Sequence, residues 1–115
     1  MRRILFALIP FVMLGTAAAH AHAHLDRANP RVGSTVSSAP REVTLWFSQK
    51  IEASFSSAQV TDASGARVDQ GSRVEGMQIH VSVKSLPPGS YRVHWKVLSV
   101  DTHTTEGSFS FRVGR

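Results

Sequence analysis

The chain has 115 residues, 13 Lys+Arg against 8 Asp+Glu for a formal charge of +5, and no cysteine. That length suits one domain with one modest core, and the lack of cysteine excludes a disulfide scaffold and any thiolate metal site. The basic residues are scattered, with no stripe or motif of a nucleic-acid-binding surface.

Residues 1–21 read as a secretory signal. Arg2 and Arg3 give the positive start, residues 4–14 are an apolar run broken only by Pro10, and Gly15, Thr16, Ala17, Ala18 and Ala19 are small. The apolar run is shorter than the roughly 20 residues a membrane span needs, so no span is expected once it is removed. A cut before His20, His22 or His24 satisfies the small-x-small rule in each case, and each leaves histidine first. Such a histidine offers a free amine as well as an imidazole, and one metal can be chelated by both. The amine titrates near about 7.7–8.0, so the neutral donor is accessible around neutral pH.

The mature chain, 22–115, then reads as one domain of short strands. Residues 25–30 form an opening extended segment, since Pro30 biases Asn29 away from helix. Residues 31–40 are turn and loop material. Residues 42–47 form the first firm strand: Val43, Leu45 and Phe47 point one way, Glu42, Thr44 and Trp46 the other. Residues 51–55 fit no pattern. Residues 57–62 and a short return at 66–69 read as a hairpin around Ala63, Ser64 and Gly65, and 70–72 as loop. Residues 77–83 alternate with Met77, Ile79, Val81 and Val83 inward, which puts His80 on the exposed face as an ordinary surface histidine.

Leu86-Pro87-Pro88-Gly89 is a turn signal. Beyond it comes the most regular strand, with Tyr91, Val93, Trp95 and Val97 on one face and Arg92, His94 and Lys96 on the other. If the backbone stays extended, Ser99, Asp101 and His103 continue the inward parity, and Asp101 and His103 face one point in space. Residues 104–107 read as the next turn, and 108–113 as the last strand, with Phe109, Phe111 and Val113 inward. No segment has a helical period. Six or seven short strands separated by turns imply an all-β Greek-key sandwich or barrel, cupredoxin-like or Ig-like in outline.

The strong donors available are the new amine, His22 if it is first, His24, Asp101 and His103. Imidazole and amine nitrogens with one carboxylate oxygen suit a tetragonal Cu(II) site, with zinc the main rival. A Cu(I) thioether site would want several methionines, and the mature chain has only Met77. An aspartate two residues before a histidine is a weak signal alone. Joined to a terminal histidine on a small cysteine-free exported β-domain, it points to copper.

The chain resembles the CopC family of periplasmic copper-binding proteins. The matching residues are His22-Ala23-His24-Leu25 through Asn29-Pro30 with Gly33-Ser34, then 43–48, then the block 86–97 with Ser99-Val100-Asp101-Thr102-His103, closing at 107–111. The resemblance implies a Greek-key β-barrel binding Cu(II) through the amine and imidazole of His22, with Asp101 and His103, and cleavage after Ala21. His24 matches a position where some members have histidine and is an additional candidate ligand. Gln49 stands where some members place Glu close to the copper. The methionine-rich Cu(I) loop of some members is absent, so the chain is similar to the Cu(II)-only kind. The implied role is a non-catalytic periplasmic carrier or buffer in copper resistance, homeostasis or supply, a monomer working with a separate inner-membrane copper-transport protein.

Two other functions compete. An amine-plus-imidazole copper site also resembles that of oxidative polysaccharide-cleaving monooxygenases, but a coordinating Asp101 would fill a position that oxygen chemistry needs open. A metal-free Ig-like interaction module would leave the Asp101–His103 motif far from the terminal histidines.

Overall fold

A computed structural model describes residues 23–114 of the chain. They form eight strands: β1 Leu25–Asn29, β2 Thr35–Val36, β3 Glu42–Phe47, β4 Ser57–Asp62, β5 Asp69–Glu75, β6 Gln78–Val83, β7 Gly89–Leu98 and β8 Thr104–Val113. Two four-stranded sheets result, ordered β1-β3-β6-β5 and β2-β8-β7-β4. Neighbours are antiparallel except β2, which pairs parallel with β8. The architecture is a β-sandwich, and the only helical piece among the described residues is a 3₁₀ turn at Ala53–Phe55.

Alternation decides what fills the space between the sheets. Val43, Leu45, Phe47, Ile79, Val81, Tyr91, Val93, Trp95, Val97, Phe109, Phe111 and Val113 are all buried, as their parity requires. Each large apolar side chain so buried stabilises by about 1.5–3 kcal/mol before entropy is counted. The Tyr91 and Phe111 rings stack at 5.6 Å, and Phe47 meets Trp95 edge-on at 5.1 Å.

Four expectations are corrected. Residues 70–72 are not loop but part of β5, which pairs with β6 from Asp69↔Val83 to Glu75↔Gln78. That strand has a single apolar residue, Val74, so no alternation announces it. Met77 lies in the β5–β6 turn and is 49% exposed. Its apparent parity with Ile79 fails because the strand begins only at Gln78. His80 is not a surface histidine: its side chain is 13% exposed, with Nδ1 3.3 Å from Glu42 Oε1 and Nε2 3.3 Å from Glu75 Oε1. The first of these contacts has hydrogen-bond geometry and the second is a charge contact only. Arg73 joins the same two carboxylates, so the group clamps β3, β6 and β5 across their outer face. Finally, residues 104–107 extend β8, and the turn falls earlier, at 99–103.

The short return after β4 is a single bridge, Thr61↔Arg67, after which the chain crosses to the other sheet. Asp69 secures the crossing. Its side chain, 5% exposed, accepts the Val60 N–H at 2.9 Å and both Nε and Nη2 of Arg67 at 2.8 Å.

Candidate metal centre

One end of the sandwich gathers four pieces of chain: the start of the described residues, the β3–β4 loop, the β5–β6 turn and the β7–β8 loop. The register explains why. β1 begins opposite the end of β3, at Leu25↔Phe47; β3 ends opposite the start of β6, at Trp46↔Gln78; β7 ends opposite the start of β8, at Leu98↔Thr104. Three of the four large apolar side chains most exposed among the described residues, Phe55, Met77 and Val100, stand at this end.

The β7–β8 loop closes by backbone bonds. The Ser99 N–H donates to the His103 carbonyl at 2.9 Å, and the Thr102 N–H donates to the Ser99 carbonyl at 2.9 Å. Thr102 sits at φ +71°, a left-handed conformation that β-branched residues rarely adopt. Asp101 and His103 are therefore not brought together by continued strand parity. The chain turns inside the motif, and the turn sets Asp101 Oδ1 3.4 Å from His103 Nδ1, with both side chains partly exposed. Asp101 accepts the hydroxyl proton of Ser99, and this bond, followed by the nearby His103, holds its carboxyl below the usual carboxylate range. At neutral pH the pair presents an ionised carboxylate beside an imidazole.

The start of the described chain is tied to the same loop. Ala23 is fully buried, and its carbonyl accepts the Thr105 hydroxyl at 2.7 Å. Thr105 is two residues beyond His103. Below it on β8, Gly107 pairs with Trp95, and a Cβ there would stand 2.7 Å from Trp95 Cζ2. The indole can therefore cross β8 only because residue 107 has no side chain.

His24 faces elsewhere. Its backbone N–H donates to Ser48 Oγ at 3.0 Å, its Nδ1 lies 3.2 Å from that hydroxyl, and its Nε2 is 3.3 Å from Asp26 Oδ1. Gln49 follows Ser48 in the β3–β4 loop and is half-buried. His94 is on the outer face as expected, with Nε2 3.2 Å from Glu106. His20 and His22 lie outside the described residues. Among the described residues no group of three or more His, Asp or Glu side chains is placed to hold a metal. Asp101 and His103 could hold a metal with two donors, and His22, which precedes Ala23 in the sequence, could add nitrogen donors of the kind that suits copper.

The sequence pointed to Asp101 and His103 as candidates, and the structure sets them side by side, but the groups that place them were missed. Ser99 was legible only as a polar residue in an inward position. Thr105 carried no signal, because its role depends on where residue 23 lies.

Comparison with known proteins adds a family. Residues 25–114 match the CopC domain. The chain is 38% identical over 105 residues to protein YobA of Escherichia coli K12, covering 87% of this chain and 85% of that one. It is 34% identical over 110 residues to copper resistance protein C of Xanthomonas campestris pv. juglandis, covering 87% and 86%. It is 28% identical over 113 residues to the copper transport protein CutJ of Bacillus subtilis, covering 94% of this chain but 21% of that protein. Among solved structures, CopC from Methylosinus trichosporium OB3b superposes with a TM-score of 0.77 at 31% identity, over 81% of this chain and 94% of that one.

Proposed function

The chain belongs to the CopC family of copper-binding proteins, and on that premise we propose that it is an exported, periplasmic Cu(II) carrier whose site is completed by its own processed N-terminus. Residues 1–21 are the signal and 22–115 the working domain. The amine and imidazole of His22 act with Asp101 and His103. The observation that carries this is the Thr105–Ala23 hydrogen bond, which fastens the residue bonded to His22 beside the Asp101–His103 turn. His22 directly precedes the anchored Ala23, which is why it is the histidine proposed to join Asp101 and His103.

Nitrogen donors with one carboxylate favour Cu(II) in a tetragonal arrangement. The Asp101 carboxylate and three nitrogen donors, the His22 amine and the His22 and His103 imidazoles, fill a four-coordinate tetragonal site and leave little open for oxygen, so the protein is a carrier and not an oxidase. With its ring turned to Ser48 and Asp26, His24 is left out of the ligand set. Gln49 can offer an amide near the metal but no charge.

The partner is a membrane copper-transport protein. Support comes from CutJ, in which a match to this whole domain fills about a fifth of a copper transport protein. Transfer by ligand exchange predicts that copper loading of such a protein in vesicles speeds up with the concentration of loaded carrier. A saturating rate set only by copper dissociation into water rules out direct transfer.

Titrating Cu(II) into protein that begins at His22 tests the function. One equivalent should bind tightly and quench the fluorescence of Trp95, whose indole crosses β8 at Gly107, two residues from Thr105. Binding no tighter than that of a short peptide starting with His-Ala-His rejects the site. Ascorbate-driven peroxide formation well above that of free copper rejects the carrier reading in favour of an oxidase.

A further inference from the structure

Ser99 is fully buried at the end of β7, locked on its outer side by a bridge to Ile51. A buried hydroxyl needs partners, and all those recorded for this one lie in the 99–103 turn. Its Oγ contacts Asp101 Oδ1, lies 3.1 Å from the His103 carbonyl oxygen and 3.4 Å from the His103 backbone nitrogen. A hydroxyl has one proton to give. The His103 carbonyl already accepts the Ser99 N–H at 2.9 Å, whereas the Asp101 carboxylate is charged and forms the stronger bond. The proton therefore goes to Asp101, and the oxygen is left facing the His103 N–H.

We propose that Ser99 is the positioning residue of the copper site: it orients the Asp101 carboxylate and fixes the His103 backbone before the metal arrives. This rests on the reading that Asp101 and His103 ligate copper. Ligating carboxylates are commonly held by a hydrogen bond from behind, and removing such partners costs about 10–100-fold in metal affinity. Ser99 also explains how Thr102 tolerates φ +71°. The turn is pinned on both flanks, at Ser99–Asp101 and at Ser99–His103, so the strained residue between them has no relaxed alternative.

A buried serine that merely satisfies the fold is the competing role, and a double-mutant cycle separates the two. In protein beginning at His22, Ser99→Ala keeps both backbone bonds of the turn and removes only the hydroxyl. Cu(II) affinity, measured by competition with a chelator, should fall about 10–100-fold, and Ser99→Thr should restore most of it. In an Asp101→Ala background, Ser99→Ala should cost clearly less, because only its hold on the His103 backbone is left to lose. An equal loss in both backgrounds, or no loss in the single variant, overturns the inference. Should Asp101→Ala alone leave the affinity intact, the site reading itself fails. A measurement on the unaltered protein guards against a variant that does not fold. Without metal, the amides of Thr102 and His103 should exchange with solvent far more slowly than in a free peptide, and peptide-like exchange overturns the proposal.

Discussion

His103→Ala loses more Cu(II) affinity than the roughly 10–100-fold typical of removing a group behind the ligands. The imidazole is a ligand in the proposed site, and the described residues hold no spare donor to replace it. His24, the other described histidine considered as a ligand, is held by Ser48 and Asp26. The fold should barely notice. The His103 side chain is 52% exposed, and changes at such positions usually stay within about 0.5 kcal/mol. Competition titration alongside thermal unfolding checks both halves. A stable variant that binds copper as tightly as the parent removes His103 from the site.

Asp69→Asn destabilises the fold by about 2 kcal/mol, in the range for hydrogen bonds to charged groups, and leaves copper affinity in the folded protein unchanged. Asp69 lies where β5 leaves the crossing, at the end of the sandwich opposite the candidate metal centre. The paired Arg67 guanidinium holds its carboxyl below the usual carboxylate range, and the Val60 N–H adds to that, against the cost of burial. The sign follows from linkage. A carboxyl whose folded pKa is depressed contributes stability in full above its unfolded value near 4, and loses it as pH falls through the lower folded value. The parent should therefore lose stability on acidification below about pH 4, and the variant should start lower at neutral pH with a shallower acid slope. Urea unfolding between pH 3 and 7 measures this. Parallel curves for parent and variant would mean that the Arg67–Asp69 pair contributes nothing.

The inner faces were readable because alternation is a local property. Val43, Leu45 and Phe47, or Tyr91 to Val97, needed no knowledge of their neighbours to be placed inward. His80 failed for the opposite reason. What buries it is Glu42 on one neighbouring strand and Glu75 on the other, and register across a sheet is not written in either segment. Strand β5 failed because an edge strand with a single apolar residue, Val74, has no alternation to read. The candidate metal end was half legible. The pairing of Asp101 with His103 was expected from type and spacing, yet the cause assigned to their convergence was wrong: a tight turn, and not continued strand, brings them together. The Ala23–Thr105 tie joins residues 82 positions apart and left no trace in the sequence.

That tie is the ground for proposing the amine at residue 22 as a copper donor, so the most direct test alters that amine alone. Two forms of the protein are titrated with Cu(II) and followed by electron paramagnetic resonance, one beginning at His22 and one carrying a single glycine before it. The expected result is one tight equivalent with nitrogen hyperfine structure in the first, and a large loss of affinity with a changed spectrum in the second. The same affinity and the same spectrum in both would show that the processed terminus takes no part in the site.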